Sequence, residues 1–494
     1  MRKLRSSALR AGGLSLLAAF LAACTVGPDF ERPAAPVASR YTRDPLPAST
    51  AQADGRAQSF GNRGELQADW WRLFGSEQVD LVVQQAIANS PSLQEAEATL
   101  RQSQDSLRAG YGVFYPQVVA DAAATRQRSA AREDGLQAPS SIFNLVTVSG
   151  TVSYALDVFG GQRRAVEGLR AQADAQGYAA KAALLALSAN VVNTVIARSA
   201  YEAEVRATEQ LVVLQRQQLQ LAEVQVRSGT ASFAAVLALR GEIAAEQALL
   251  APLRQKISEA GDLLATLEGA PPSDAILPEI ELGGLALPAD LPVSLPSDLV
   301  RQRPDILLAE AQLHAASAGI GVATAAMFPS FNLGATYGAS GTQFSNLSAA
   351  SGRFWSIGPS ATIPLFQGGT LWYGRKAAID AFQFSQANYR QVVLSAFAQV
   401  ADTLKGLEHD ADALQAQVEG LRAANDLLGL VQANYRAGLI GYADVLSADV
   451  QVQESTVGYL QAVAQRHQDT VALFVAVGGG WWTASRGAVE GSPP

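Results

Sequence analysis

The amino-acid sequence repeats itself over most of its length. Pro91 and Pro304 each open a stretch with a helical pattern, and an aromatic-proline pair closes each stretch 25 residues later, at Pro116 and Pro329. Further motifs recur at an offset of 207 to 209 residues, among them Arg227-Ser228-Gly229 and Arg436-Ala437-Gly438. A repeat of this length is too long for a solenoid unit, so each copy is expected to form half of the structure.

Each copy contains two stretches in which apolar and polar side chains alternate. They cover residues 117–128 and 146–158 in the first copy and residues 331–340 and 355–365 in the second. Alternation with a period of two places the apolar side chains on one face, which predicts β-strands. Both copies are therefore predicted to contain, in the same order, a helix, two strands, a very long helix and a shorter helix.

The four predicted strands leave two architectures open. Segments of about 9 to 13 residues with one apolar face fit a transmembrane β-barrel, and they fit a soluble sheet packed on helices equally well. Four strands cannot close a barrel, because the smallest single-chain barrels need about 8 and an open edge in hydrocarbon leaves backbone groups unpaired. A membrane role would therefore require about three chains that contribute four strands each.

The helical segments favour the membrane architecture. Residues 162–227 and 370–436 contain no proline, and at about 1.5 Å per residue each helix would be about 100 Å long. The helices predicted at 76–113 and 232–267 are about half as long, so two of them placed end to end would match one long partner. Spacing by seven indicates coiled-coil contacts between neighbouring helices, as at Leu407, Leu414, Leu421, Leu428 and Tyr435. A cylinder of paired helices is the favoured interpretation, and an isolated trimeric stalk is the alternative.

Charge and hydropathy limit the partners. The formal net charge is −8, and loss of the four basic residues near the amino terminus would bring it to −12. We therefore expect no nucleic acid partner. No stretch beyond the first 23 residues supplies the roughly 20 apolar residues of a membrane helix, so strands are expected to make any membrane crossing.

The amino terminus predicts export and lipid attachment. Basic residues at 2–10 precede an apolar run at 11–23, which is the layout of a secretory signal. The run ends beside Cys24 in a pattern that resembles the bacterial lipoprotein signal, so cleavage would leave Cys24 first and acylated. Cys24 is the only cysteine, and a disulfide within the chain is impossible. Thr25 follows it, as in the outer membrane sorting pattern, so we expect outer membrane lipid as a partner.

Motifs spread along the mature sequence resemble those of one family. They are, in order, Cys24-Thr25-Val26-Gly27-Pro28-Asp29-Phe30, Trp70-Trp71-Arg72-Leu73-Phe74, Asn89-Ser90-Pro91, Arg303-Pro304-Asp305-Ile306, Leu365-Phe366-Gln367-Gly368-Gly369 and Gly478-Gly479-Gly480-Trp481. In this order and spacing the chain resembles the outer membrane factor of tripartite efflux systems, the TolC-like family, in its NodT-type lipoprotein branch.

The resemblance implies both a fold and a function. The fold is of class α+β, predominantly α: an internally duplicated protomer of a homotrimer, with a twelve-stranded outer membrane β-barrel continuous with a twelve-helix periplasmic α-barrel. The function is a passive conduit for small molecules, gated at the periplasmic helix tips. The partners would be a periplasmic adaptor protein and an inner membrane transporter of the RND type. Drug efflux and protein secretion share this architecture, and the lipoprotein branch favours small molecules.

The gate is expected where the long helices end. Glycine suits the left-handed turn after a helix, so the turn residues are Arg227 and Gly229 at the first tip and Arg436 and Gly438 at the second. The resemblance matches Tyr435 and Asp444 to a tyrosine and an aspartate that help hold the entrance shut.

The assignment of the gate has competing interpretations. Three copies of Asp444 around a threefold axis would form an acidic ring that favours cations. Ile440 stands where some relatives have a gate arginine, and Ala235 stands where an aspartate is common, which favours instead a hydrophobic plug of Leu439, Ile440 and Tyr442. Asp444 could equally cap the helix that follows it.

Other constellations are sparse. His314, His409 and His467 fall in separate predicted helices and no GxxxxGK[ST] phosphate loop occurs, so we expect no metal, no cofactor and no enzymatic activity. A structural lipoprotein whose stalk spaces the envelope is the alternative to an export channel.

The predicted organisation has six segments. They are a lipoprotein signal peptide at 1–23, an N-terminal extended segment at 24–75, the first repeat at 76–269, a linker at 270–296, the second repeat at 297–477 and a C-terminal tail at 478–494.

Overall fold

The computed structural model describes residues 25–36, 38, 40–61, 66–129, 140–293 and 295–483. Its helices are, in chain order, α1 (Glu77–Asn89), α2 (Pro91–Gly110), α3 (Gly161–Arg227), α4 (Phe233–Leu267), α5 (Pro296–Gln302), α6 (Pro304–Ala325), α7 (Thr370–Arg436) and α8 (Tyr442–Ala476). Its strands are β1 (Ser59–Gly61), β2 (Gln117–Ser129), β3 (Ser141–Leu156), β4 (Asp290–Pro292), β5 (Ser330–Gly341) and β6 (Arg353–Thr362).

The predicted fold class is confirmed. The protein is predominantly helical and contains one four-stranded sheet beside the short pair β1–β4. α3 and α7 each hold 67 residues, which corresponds to about 100 Å of helix. Neither helix contains proline, so no backbone N–H is missing from the hydrogen-bond ladder along that length.

Three predicted boundaries are wrong. The helix expected at 76–113 is divided at Ser90, whose ψ of 123° is not helical, because the residue before a proline avoids the helical conformation. β3 begins at Ser141 rather than at 146, since its first residues pair with the end of β2 although their side chains do not alternate. β6 ends at Thr362 rather than at 365.

Two helices are more apolar than expected. Within the residues described, an 18-residue window of α3 has a mean hydropathy of 1.5 and one of α6 has 1.3, so both are long and apolar enough to cross a membrane. The expectation that no such stretch exists is therefore wrong. In each window 44% of the residues are buried inside the protein, as in an ordinary core helix, so the windows are weak evidence for membrane helices.

The four-stranded sheet is antiparallel throughout, in the order β2-β3-β5-β6. Its register aligns Val118, Val152, Ala335 and Ile357 in one row across all four strands. Val118 is 73% exposed and Ile357 is 75% exposed. Apolar side chains thus cover one face of the sheet without a covering layer from the described part of the chain.

The register also separates polar from apolar side chains. Thr151 lies opposite Thr336, with 3.2 Å between their hydroxyl oxygens, and Ser356 continues this polar row on the next strand. Tyr337 lies opposite Trp355 on the apolar face, and both rings are exposed. One face is polar and the other apolar because successive side chains point to opposite sides of a strand.

The chain divides into two compact units. The first consists of the described residues of Met1–Pro33, Leu100–Gln176 and Ala309–Tyr389, and it contains the four-stranded sheet. The second consists of those of Ala34–Thr99, Gly177–Leu308 and Arg390–Pro494, and it contains both turns that join a long helix to the next one.

In the first unit, residues 25–33 form an N-terminal segment that packs on the start of α3. The N–H of Val26 donates to the carbonyl oxygen of Phe159 at 3.0 Å. Gly27 approaches Gly321 so closely that a Cβ on Gly27 would lie 2.5 Å from the Cα of Gly321. Glycine is therefore required at position 27, and a Cβ on Gly321 would lie 2.6 Å from the Cγ of Arg164.

Ion pairs and a ring stack hold the same segment. Arg164, which is buried, pairs with Asp29 and with Glu167. His314 stacks on Phe30 with ring centroids 4.3 Å apart and contacts Glu167 at 2.9 Å. Burial alone would raise the pKa of Glu167, but its hydrogen bonds with Arg164 and His314 lower the pKa below the usual value.

In the second unit, Arg303 closes the second repeat. It pairs through two nitrogens with Asp305 at 2.9 and 2.6 Å, and donates to the carbonyl oxygen of Ala476 at 2.9 Å and to Gln399 at 2.8 Å. One guanidinium therefore links the start of α6 to α7 and to the end of α8.

The first repeat closes at the matching place without an arginine. Gly269, with φ of +72°, lies so close to Asn89 that a Cβ would be 2.5 Å from the Asn89 carbonyl oxygen. Ser90 takes the place of Arg303, and its hydroxyl contacts only that of Ser92, at 3.0 Å. In the second repeat the matching Gly478, with φ of +99°, would place a Cβ 3.4 Å from the Gln302 carbonyl oxygen, so the two repeats share a glycine junction and differ in the side chains that fasten it.

Candidate functional site

The first helix tip joins α3 to α4. Gly229 has φ of +76°, its N–H donates to the carbonyl oxygen of Val226 at 3.1 Å, and the N–H of Thr230 donates to that of Gln225 at 2.9 Å. This pair of bonds is the Schellman motif, which satisfies the last carbonyls of a helix. Arg227 ends the helix with its side chain exposed.

The second helix tip joins α7 to α8 by the same turn. Gly438 has φ of +73° and its N–H donates to the carbonyl oxygen of Tyr435 at 2.9 Å, while the N–H of Leu439 donates to that of Asn434 at 3.0 Å. Arg436 is the last residue of α7 and is exposed. Both glycines that the sequence marks as turn residues thus lie in left-handed turns.

Different side chains cap the helices that leave the two tips. The hydroxyl of Ser232 accepts the N–H of Ala234 at 3.2 Å before α4. Before α8, the carboxylate of Asp444 accepts the N–H of Gly441 at 3.0 Å. Asp444 is therefore a capping residue in this structure, with a negative charge at the positive end of a helix.

Aromatic side chains connect the second tip to its neighbours. The rings of Tyr435 and Tyr442 lie 5.5 Å apart between centroids, and the hydroxyl of Tyr442 donates to Gln217 of α3 across 3.5 Å. Leu439 is 73% exposed and Ile440 is half-buried. Tyr442 belongs to the first turn of α8, whereas Leu439 and Ile440 lie in the turn before it.

The first tip has ion pairs that the second lacks. Arg240 of α4 pairs with Glu223 of α3 at 2.8 Å, and Arg254 pairs with Glu209 at 2.7 Å. No ion pair joins α7 to α8 within the fully described stretch around the second tip. The sequence gives no local signal for these pairs, because the partners lie 17 and 45 positions apart on two helices and their pairing depends on how those helices are rotated.

Packing along α7 becomes looser toward the second tip. Leu407 and Leu414, two members of the row spaced by seven, are 0% and 4% exposed, whereas Tyr435 at the end of the row is 44% exposed. The residues nearest the turn therefore have the fewest buried contacts to hold them in place.

Acidic side chains with raised pKa values lie on the helices beyond the tips. Burial, followed by repulsion from Glu454, raises the pKa of Glu246 above its usual value. Burial likewise raises the pKa of Asp449. Sequence reasoning missed Glu246 and Asp449, because only the packing of α4 and α8 reveals which of the many acids are partly buried.

A second acidic pair lies farther along α7 and α8. Burial, followed by a hydrogen bond with Asp469, raises the pKa of Asp410 to about 8, against the opposing effect of Arg466. Two carboxyl groups that share a site cannot both ionise easily, so the pair holds one proton at neutral pH.

The predicted lipid attachment residue Cys24 lies outside the described residues. The structure begins at Thr25, whose side chain contacts Gly160 at the start of α3. No group of three or more histidine, cysteine or acidic side chains arranged to hold a metal ion occurs within the described ranges.

Comparisons with known proteins agree with this architecture. The chain matches the outer membrane efflux protein family over residues 82–270 and 295–479. It is 28% identical over 465 residues to the probable outer membrane lipoprotein SilC of Salmonella typhimurium. The alignment covers 93% of this chain and 96% of SilC. It is also 28% identical over 478 residues to the toluene efflux pump outer membrane protein TtgC of Pseudomonas putida, covering 95% of each.

A solved structure shows the same fold. The outer-membrane channel OprN superposes with a TM-score of 0.81 at 24% identity, over 93% of this chain and 100% of that chain. The chain belongs to the outer membrane efflux protein family, which consists of transporters and not of enzymes. It is an outer membrane channel of efflux pumps, as the sequence motifs predict.

Proposed function

We propose that three copies of this chain form the conduit of a tripartite efflux pump. The observation that carries the proposal is the four-stranded sheet, whose apolar face is exposed and whose outer strands β2 and β6 each have one neighbour among the described strands. Twelve strands from three chains would close the ring and pair every edge, which hydrocarbon requires. The 67-residue helices of each chain would then form a passive periplasmic passage about 100 Å long.

The gate of the proposed conduit is the second helix tip. Its helices α7 and α8 are joined by the Tyr435–Tyr442 ring contact, and a long hydrogen bond of Tyr442 reaches Gln217 of α3, whereas the ion pair Arg240–Glu223 joins the two helices of the first tip. A tip with fewer fastening contacts opens at a lower free-energy cost. Asp444 would act in both predicted roles, as a cap within its chain and as part of an acidic ring around the threefold axis.

The assembly would be anchored and supplied by other components. Cys24 would carry the acyl chains that hold the protein to outer membrane lipid, which is consistent with a lipoprotein relative such as SilC. An inner membrane transporter of the RND type would supply the energy through a periplasmic adaptor. The relative TtgC is named for toluene efflux, which supports small molecules as the exported class. The boundaries predicted for the two repeats, at 76–269 and 297–477, would delimit the structural halves of each protomer.

Electrical recording of the purified protein tests the proposal. The full-length acylated protein, extracted in detergent, is added to a planar bilayer. We expect a complex with the mass of three chains and stepwise conductance that prefers cations. A monomer without conductance would contradict the channel and would favour the alternative, a structural lipoprotein whose stalk spaces the envelope.

A deletion strain tests the class of substrate. We expect cells without the gene to accumulate small apolar compounds. Accumulation of an exported protein instead would assign the conduit to protein secretion.

A further inference from the structure

An exposed aromatic cluster lies at the start of α7. Seven residues separate the end of β6 from this helix, and two of them, Leu365 and Phe366, are 92% and 90% exposed. Trp372 and Tyr373 follow in the first turn, at 52% and 67% exposure. Four large apolar side chains are therefore exposed within one short stretch beside the sheet.

A lysine completes the cluster. The ammonium nitrogen of Lys376 lies 5.6 Å from the ring centroid of Trp372 and 5.9 Å from that of Tyr373. Residues three and four apart lie on one face of a helix, so these three side chains form a single patch, called here the α7 patch. Asp380 is exposed on the same face one turn farther along.

The first repeat has no equivalent patch. At the matching start of α3 stand Arg163, paired with Asp157 at 3.1 Å, and the buried Arg164, paired with Asp29 of the N-terminal segment. Charged side chains in the first repeat are thus satisfied within the chain. The α7 patch has no such cover from the described part of the first unit, in which it lies.

The chemistry of the α7 patch fits the surface of a bilayer. Tryptophan and tyrosine concentrate where hydrocarbon meets water, and a lysine extends its stem along apolar groups while its ammonium reaches a phosphate. The sheet next to the patch has an exposed apolar face that includes Trp355 and Ile357. A patch that follows this sheet in the chain and ends in a cation is complementary to an anionic headgroup.

We propose that Trp372, Tyr373 and Lys376 bind the anionic headgroups of phospholipids in the periplasmic leaflet of the outer membrane. The two rings lie among the glycerol and upper acyl carbons, and Lys376 pairs with the phosphodiester. The proposal rests on the membrane-spanning sheet of the proposed function. A lipid is favoured over a neighbouring chain, because the centres of protein interfaces are depleted in lysine.

Fluorescence quenching by brominated lipids tests this site in the full-length acylated protein. The protein is reconstituted in vesicles of phosphatidylethanolamine that contain brominated phosphatidylglycerol or, for comparison, brominated phosphatidylethanolamine. The signal of the wild type minus that of Trp372→Phe reports on Trp372 alone. We expect strong quenching of this difference signal and about a fivefold preference for phosphatidylglycerol, the worth of one lysine near an anionic surface.

Two variants decide the outcome. Lys376→Gln should abolish the preference, and Phe384→Ser should leave it unchanged, since Phe384 is an exposed aromatic of the same helix about 18 Å farther from the sheet. Lack of quenching at Trp372, or an unchanged preference in Lys376→Gln, would overturn the proposal. If Trp372 is protected from quenching by both brominated lipids, and if Trp372→Ser dissociates into monomers, then a second copy of the chain covers the α7 patch.

Conductance keeps this proposal separate from the proposed function. Lys376→Gln vesicles that conduct normally but have lost the lipid preference support the headgroup site. A wild-type protein that binds phosphatidylglycerol but never conducts would overturn the channel and leave the headgroup site in place.

Discussion

The two long helices begin at matched positions in the repeats, but different side chains surround their first turns. At α3, Asp157 accepts the N–H groups of Gln162 and Arg163 at 3.0 and 2.9 Å, and the N-terminal segment pairs with Arg164. At α7, two left-handed glycines lead into the exposed rings of Trp372 and Tyr373. The first repeat is fastened within the chain, whereas the second exposes surface that is available to other molecules.

The two repeats also differ at the tips of the long helices and at the junctions where each repeat closes. Ion pairs such as Arg240–Glu223 fasten the first tip, and ring contacts hold the second. At the closures the second repeat has the stronger contacts. Arg303 fastens it, whereas Ser90 makes a single described hydroxyl contact in the first repeat. The duplication has kept the backbone plan, and the side chains that fasten matched positions differ between the repeats.

The largest effect is expected from Arg303. Arg303→Ala would leave the Ala476 carbonyl oxygen, Gln399 and Asp305 without this partner, so we expect unfolding to become easier by about 3 kcal/mol. Ser90→Ala in the first repeat removes one hydroxyl contact and should cost about 1 kcal/mol or less. Thermal unfolding of the detergent-solubilised protein measures both, and equal losses would contradict the difference between the closures.

The next largest effect is expected from Asp157. Asp157→Ala removes the acceptor of two backbone N–H groups and the partner of Arg163, so we expect a loss of about 2 kcal/mol. Asp157→Asn should keep most of the capping and lose about half as much stability. Gln367→Ala before α7 is the matched control, because its side chain is exposed and the turn uses only its carbonyl. A larger loss of stability for Gln367→Ala than for Asp157→Ala would contradict the inference that side chains fasten the start of α3 more firmly than the start of α7.

A smaller effect on stability, with a separate effect on transport, is expected at the tips. Ser232→Ala and Asp444→Ala each remove one cap and should cost about 1 kcal/mol. Only Asp444→Ala and Asp444→Asn should change conductance or cation preference, because only Asp444 is assigned to the gate. Single-channel recording of the three variants makes the test, and an unaltered record for both Asp444 variants would assign this residue to capping alone.

An effect that depends on pH is expected from the acidic pair of the second repeat. Because burial and Asp469 raise the folded-state pKa of Asp410 to about 8, the folded state binds more protons than the unfolded state. Its contribution to stability is complete below about pH 4 and is lost as the pH rises through about 8. Asp410→Asn should therefore match the wild type below about pH 4 and unfold at an increasingly higher temperature than the wild type as the pH rises from about 4 to about 8.

The matched position in the first repeat provides the control for this prediction. Tyr201 stands where the offset places Asp410, with Lys256 at 5.1 Å from its ring, so Tyr201→Phe should leave the slope of unfolding temperature against pH unchanged. A wild-type slope in Asp410→Asn would show that the pair does not retain its proton.

Sequence reasoning predicts the local elements of this protein well. The helix predicted at 370–436 matches α7, which spans Thr370–Arg436, because apolar residues spaced by seven along a stretch without proline indicate one continuous helix. The left-handed turns at Gly229 and Gly438 follow from glycine after a helical pattern. The start of β3 was missed because residues 141–145 do not alternate, and its register with β2 is a property of two strands together.

Long-range contacts were beyond the reach of the sequence. Arg303 was expected only to precede a helix, and its bond to Ala476 joins residues 173 positions apart. The contact of Tyr442 with Gln217 spans 225 positions. Which acids become partly buried, as Glu246 and Asp449 do, depends on the rotation of whole helices about their axes.

The most direct test of the account is a cross-link between the sheet edges of neighbouring chains. One cysteine is placed in β2 by Ala122→Cys, and a second is moved along β6 from residue 354 to 360 in the intact, acylated protein. We expect oxidation to give covalent dimers and trimers, no larger species, and a maximum that recurs at every second position, because side chains alternate along a strand. Monomers at every position would contradict a barrel closed by three chains.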